Sequence, residues 1–242
     1  MVAEYHRLFG SLFANADIPI KVIELLATKR QGFTRKEILA KTKIQDSGSF
    51  SETLNALQSS DLIAKYLPFG ESKRNEMYKL SDNFCCFTLR FLDKMQKGDS
   101  QYWQKNYTSQ KLNTWRGLAF EELCFAHISQ IKKALGISGV SSTQSDWILQ
   151  GSAETKGTQI DLLISRDDNV VNVCEIKYYS KPYTIDKNYD VILRDRLQTL
   201  IEHLPQKKTV HMTFISTFGL QQNEYSGQIQ SQVVLDDLFE KE

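Results

Sequence analysis

Hydrophobic and polar positions alternate with two different periods along the 242-residue chain, a helical one at the start and a period of two in the second half. Apolar side chains at helical spacing mark Val2 to Ala14 as an N-terminal helix or connector. Ile20, Ile23, Leu26 and Ala27 mark the first of three short helices, from Ile18 to Lys29, stopping before Gly32. Thr34-Arg35-Lys36-Glu37 reads as a capping box, in which the Thr hydroxyl and the Glu carboxylate satisfy each other's backbone N–H groups, and it opens a short helix through Lys41. After the turn Asp46-Ser47-Gly48-Ser49, a third helix runs from Phe50 through Ser59 with Leu54 and Leu57 inward. Leu62 to Tyr66 and Met77 to Leu80 read as two short strands joined by a loop. Three short helices followed by a two-stranded wing predict an N-terminal winged helix-turn-helix domain.

A further apolar helix is expected over Ser81 to Lys97, and Gly98-Asp99-Ser100 breaks it, so the domains are drawn as 1–97 and 98–242. Asn113 to Leu135 predicts one long helix whose buried stripe includes Phe120, Cys124 and Ile131. A strand near Thr143 to Leu149, two more over Ile160–Ile164 and Val170–Lys177, a helix over Tyr189–Leu204 and strands at Lys208–Ser216 and Gln230–Leu235 follow. That order predicts an α/β (α+β) domain with a central mixed sheet flanked by helices.

The hairpin from Asp161 to Lys177 carries the chemistry, because it sets three ionisable groups inside two apolar runs. Val171, Val173, Glu175 and Lys177 share one face of the second strand, and both of its faces are largely apolar, as in a strand covered on both sides. With the turn centred on Asp168, Asp161 falls directly opposite Glu175. Two carboxylates so placed have Cβ atoms about 4.5–5.5 Å apart and repel. A bound Mg²⁺ or Mn²⁺, held by Asp161, Glu175 and the Ile176 carbonyl, reverses the sign, and Lys177 on the same face steadies a developing negative charge. The competing reading is an ion pair in which Lys177 neutralises one carboxylate. Glu121 adjoins the buried stripe of its helix and can point at the hairpin acids.

Composition changes this picture little. With 41% hydrophobic and 24% charged residues the chain is an ordinary globular one. No apolar run is long enough for a bilayer span and no signal pattern opens the chain, so no membrane is expected and the location is read as cytoplasmic. The four cysteines sit among apolar neighbours with no C-x-x-C spacing and read as buried free thiols. The formal net charge is +1, but residues 1–97 carry 15 Lys/Arg against 11 Asp/Glu and residues 98–242 carry 15 against 18. A basic front fits DNA as partner. The third helix holds no Lys or Arg, so phosphate contacts from Arg35, Lys36, Lys73 and Arg74 are the expected mode, with a protein-interaction winged helix as the alternative.

These residues resemble a known superfamily. Phe120-Glu121 on a helix, Gln159-Ile160-Asp161, Cys174-Glu175-Ile176-Lys177 and a later helix with Arg194 and Gln198 are similar to the PD-(D/E)XK nuclease core. That resemblance implies metal-dependent phosphodiester hydrolysis, with Asp161 and Glu175 on Mg²⁺, Lys177 on water or charge and Glu121 assisting the metal. Ile160 replaces the Pro that names the motif. Over nearly the whole chain, Leu8 to Phe13, Thr34 to Ile38, Phe120 to Glu122, Ile131 to Ile137 and Asn223 to Gly227 resemble the C-terminal region of prokaryotic P-loop ATPases. Those carry a winged helix and then a restriction-endonuclease-like domain of unknown function. The resemblance implies an ATPase domain or partner protein. No G-x-x-x-x-G-K-S/T occurs here, so ATP hydrolysis is not assigned to these residues.

Overall fold

The structure is a computed structural model that describes residues 2–91, 101–149, 157–204 and 208–240. Two compact units divide the chain, residues 1–67 with 71–115, and residues 68–70 with 116–242. The boundary expected between residues 97 and 98 lies outside the described residues.

The first unit begins with α1 (Val2–Leu12) and α2 (Asp17–Leu26). α2 buries Pro19, Val22, Ile23 and Leu26, while Ala27 is exposed. This face lies slightly round the helix from the expected stripe, because burial follows Val22 and Pro19 rather than Ile20 and Ala27. Strand β1 (Phe33–Thr34) leads into α3 (Arg35–Thr42), and the capping box forms: the Glu37 backbone N–H donates to Thr34 Oγ1, and the Thr34 N–H donates to Glu37 Oε2 at 2.8 Å. α4 (Gly48–Ser59) is capped by Ser47, whose Oγ accepts from the Phe50 N–H. β2 (Ile63–Tyr66) and β3 (Met77–Leu80) then pair antiparallel, with β1 on the other side of β3. Gly32 admits no substitute, since it sits at φ 71° and a Cβ there would lie 1.8 Å from the Tyr78 carbonyl oxygen. Phe9, Ile23, Ile38, Phe50, Leu57 and Ile63 fill the core between helices and sheet. α5 (Asn83–Phe91) and α6 (Tyr102–Asn106) follow in the unit, which runs on to Trp115 in the next helix, and the expected extension of α5 to Lys97 lies outside the described residues.

The second unit is a mixed α+β layer structure. The single helix expected over Asn113–Leu135 is two, α7 (Gln110–Ala126) and α8 (Ile128–Ala134). They break at His127, whose φ of −115° and ψ of 34° leave the helical region and whose N–H is shared between the Leu123 and Cys124 carbonyls. A five-stranded sheet follows, with strands β4 (Ser142–Leu149), β5 (Thr158–Arg166), β6 (Val170–Lys177), β7 (Thr209–Ser216) and β8 (Ser231–Val234) in that order across it. β4, β5 and β6 run antiparallel, and β6, β7 and β8 run parallel, joined through the crossover helix α9 (Lys187–His203). Phe120, Cys124 and Ile131 pack on one face against Leu162, Ile164, Cys174 and Ile176. Leu193 and Leu200 of α9 pack on the other against Leu163, Val171, Val173, Met212 and Phe214. β6 is thus covered on both sides, as its sequence required. No helix among the described residues is long and apolar enough to cross a membrane.

Candidate functional site at the carboxyl end of β6

The hairpin register puts the charges where the alternation placed them. Ser165 pairs with Val171, Ile164 with Asn172, Leu163 with Val173 and Leu162 with Cys174, and Asp161, just beyond the last of these pairs, reaches the Ile176 N–H. Asn169, at φ 64°, closes the three-residue turn in the left-handed conformation that Asn tolerates. On its other side β5 is irregular. Ser145 pairs with Leu163 and Trp147 with Ile160, so Asp161 and Leu162 together face one residue, Asp146. That bulge resets the alternation: Ile160 and Leu163 both enter the core beneath α9. Asp161, buried at 9% exposure, lies at this reset, and its Oδ2 accepts the Ile176 N–H at 3.3 Å.

Glu175 is only 2% exposed and fully engaged. Lys177 Nζ lies 2.7 Å from Oε1, Arg196 Nη1 donates to Oε2 at 2.8 Å, and the Tyr189 hydroxyl donates to Oε1. Burial alone would raise this carboxyl, but Lys177 and Arg196 outweigh it and hold Glu175 below the usual carboxylate range. The effect is mutual. Burial lowers Lys177 while Glu175 raises it, and the net shift is upward. Burial and the neighbouring carboxylate both push Tyr189 up. The Lys177 ammonium also stands 5.2 Å over the Tyr189 ring. An ionised, hydrogen-bonded carboxylate with two cations is the arrangement that makes a buried charge tolerable.

The pairing that competed with a metal in the sequence, Lys177 on a carboxylate, is therefore present in the folded chain. Asp161 is tied to β6 at the Ile176 N–H, next to Glu175 in sequence; Glu121 is half-buried on α7, one residue from Phe120, whose ring meets Tyr178 edge-on. Among the described residues no group of three or more His, Cys, Asp or Glu is gathered as for a metal. The donor set at Asp161, Glu175 and the Ile176 carbonyl is all oxygen, which suits a hard divalent cation, but such an ion replaces N–H donors that now hold Glu175. Arg194 and Gln198, the α9 residues singled out in the sequence, bond Asp190 and Glu202 instead.

Arg196 and Tyr189 went unnoticed in the sequence, though a signal existed. Tyr189, Leu193, Arg196 and Leu200 recur at helical spacing, and Leu193 and Leu200 are buried, so Arg196 is a charge set in an apolar stripe. This is the same anomaly that marked Glu175.

The cysteines are free, and burial pushes the Cys85, Cys124 and Cys174 thiols up, with Asp161 adding to the effect at the last two. In the first unit the expected phosphate-contacting residues differ in availability. Arg35 is paired with Asp46 at 2.6 Å and lies 4.8 Å over the Phe50 ring. Lys36 is exposed, as are Lys73 and Arg74 in a single 3₁₀ turn.

No family model matches the chain, and no curated protein matches it. Among solved structures it is similar to one described as a protein of unknown function, AF1548, at 14% identity and a TM-score of 0.34 over 48% of this chain. The match spans 64% of that chain's length, and a likeness of this extent assigns neither fold nor function.

Proposed function

We propose that the chain is a DNA-binding protein whose second unit is a PD-(D/E)XK nuclease-like domain hydrolysing phosphodiesters, and whose first unit is a winged helix. The observation that carries the reading is the carboxylate and lysine of Glu175-Ile176-Lys177 at the carboxyl end of a central strand, with Asp161 on the neighbouring strand accepting the Ile176 N–H between them. Asp161, Glu175 and the Ile176 carbonyl are the residues that would hold Mg²⁺ or Mn²⁺, which when bound activates water and neutralises phosphate charge. Lys177 supplies a fixed cation on the same face, and Glu121 of α7 is the assisting acid. The first unit supports the winged-helix reading by its helices and three-stranded β1-β3-β2 sheet, with Lys36, Lys73 and Arg74 free to meet phosphates and Arg35 held by Asp46. The resemblance to the C-terminal region of P-loop ATPases supports an ATPase domain or protein as partner.

A second reading is favoured by one specific feature. The full engagement of Glu175 by Lys177, Tyr189 and Arg196 fits a nuclease fold that has lost catalysis and serves as a DNA-binding or regulatory module. Purified protein should nick single-stranded, double-stranded or branched DNA with Mg²⁺ or Mn²⁺, and D161A should abolish nicking. Absence of cleavage on all three, with no metal binding by calorimetry, would exclude the first reading, and salt-dependent DNA binding unchanged in D161A would establish the second.

A further inference from the structure

Just past the carboxyl ends of β6 and β7 the chain leaves three aromatic side chains in water: Tyr178, Tyr179 at 42% exposure and Phe218 at 56%. A single exposed ring is ordinary, whereas several gathered on one rim mark an interaction surface. They are gathered by backbone bonds. The Tyr179 N–H donates to Thr217 Oγ1 at 2.8 Å, and that hydroxyl donates back to the Tyr179 carbonyl at 2.5 Å. Four residues on, the Tyr183 N–H donates to the Gly219 carbonyl and the Tyr183 carbonyl accepts from Gln221. Phe218 therefore sits between two anchored residues, on a loop that Gly219 turns at a φ of 78°.

The rings are braced as well as exposed. Tyr179 meets Tyr183 edge-on at 5.4 Å, and Tyr183 packs in turn on the buried Phe214 beneath α9. Tyr178 leans on Phe120 beneath α7. Two neighbouring tyrosines thus rest against opposite faces of the sheet, held before any ligand arrives, which reduces the ordering cost of binding. The exposed large apolar groups of this rim are all rings, with no aliphatic side chain among them. The stretch Lys177-Tyr178-Tyr179-Ser180-Lys181-Pro182-Tyr183 interleaves two lysines with three tyrosines and contains no acid. Lys177 is occupied by Glu175, but Lys181 is exposed. The next acid along the chain, Asp186, accepts the Tyr189 N–H as the cap of α9.

We propose that Tyr179 and Phe218, with Lys181 beside them, form a stacking platform for the unpaired bases of a single-stranded nucleic acid. Every base has a π-face, so such a platform takes any sequence, while paired bases in a duplex are stacked on one another and do not reach it. Lysine among rings suits a phosphate-linked strand better than an apolar protein segment. Naming nucleic acid as the occupant rests on the DNA-binding reading above; the choice of single strands over duplex rests on the rim alone.

The test is fluorescence-anisotropy titration of the metal-free full chain with three labelled probes: an oligothymidylate, the same strand annealed to oligoadenylate, and an abasic strand of equal length. Phe218→Leu and Tyr179→Leu keep apolar bulk and remove the ring. Each should weaken oligothymidylate binding about tenfold and leave the duplex and the abasic strand unchanged. Tyr179→Phe should bind as the wild type does. Phe218→Trp should tighten oligothymidylate about threefold and carries the test if a leucine variant does not fold, as read by thermal melting. Lys181→Ala should weaken both single strands alike and reduce the slope of log affinity on log salt by about 0.7. Leucine variants that hold oligothymidylate like the wild type, or that lose the abasic strand equally, would overturn the platform and leave duplex binding standing; the first result, with apolar bulk sufficient, is the one a protein-docking rim gives. Ring-dependent binding without nicking would sustain the platform and remove the nuclease reading. A wild-type chain that binds none of the three probes would overturn both.

Discussion

Two depressed glutamates, one in each unit, show how differently a fold can use the same side chain. At the start of α3, Glu37 works within four residues: its Oε2 accepts from the Thr34 N–H at 2.8 Å and from the Thr34 hydroxyl at 2.9 Å. Burial opposes ionisation there, and the Thr34 hydrogen bonds with Lys29 and Lys41 outweigh it. At the end of β6, Glu175 is held by groups two, 14 and 21 positions away, from its own strand and from the crossover helix. The first arrangement completes a helix terminus. The second gathers two cations and a phenol on a buried carboxylate at the carboxyl ends of parallel strands, and Arg196 there also feels Asp161. A local partner set thus indicates structure, and a dispersed set at a strand end indicates a site.

The sharpest way to break this contrast is Arg196→Met. It leaves Glu175 with Lys177 and Tyr189 only and should lower stability by about 2 kcal/mol in urea denaturation, less than for a fully enclosed pair because Arg196 is 29% exposed. A loss below about 0.5 kcal/mol would mean the strand holds Glu175 without help. Next is the cap. Thr34→Ala should cost about 1 kcal/mol, and the double mutant with Glu37→Gln should cost less than the sum of the single changes, because the two groups bond each other.

Acid titration comes third. Glu37 is depressed in the folded chain, so its contribution is complete above its unfolded value of about 4.3 and is lost as pH falls through its folded value. The stability gap between wild type and Glu37→Gln should therefore shrink on acidification below about pH 4. A gap that widens would reverse the assigned sign. The smallest effect is expected at Arg35–Asp46, as short as either glutamate's pairs at 2.6 Å but with the Asp46 side chain 66% exposed. Asp46→Asn should change stability by less than about 0.5 kcal/mol, which would show that solvent, not distance, separates these pairs.

Much of the site was legible because a β-strand repeats every two residues. The alternation of Val171, Val173, Glu175 and Lys177 assigned them to one face, and a turn centred on Asp168 gave the register that pairs Leu162 with Cys174. The capping box at Thr34 was legible for the same reason of locality. The break at His127 was hidden, since the apolar spacing of Phe120, Cys124 and Ile131 runs through it without interruption. The bulge at Asp161 was hidden too, because it arises from β4 pairing on the far side of β5 and leaves no mark within the hairpin.

By itself, then, the amino-acid order determined most of the elements, the hairpin register and the presence of buried charge on β6, since each depends on neighbours within a turn or one hairpin. Only the tertiary structure decided which charges meet. The parallel crossover carries α9 over the sheet and lowers Tyr189 and Arg196 onto Glu175, and the β6–β7 register sets Ser216 beside Lys177. These partners lie 14 to 39 residues apart, a range over which helix and strand periods carry no phase information, so only the packed layers could align them.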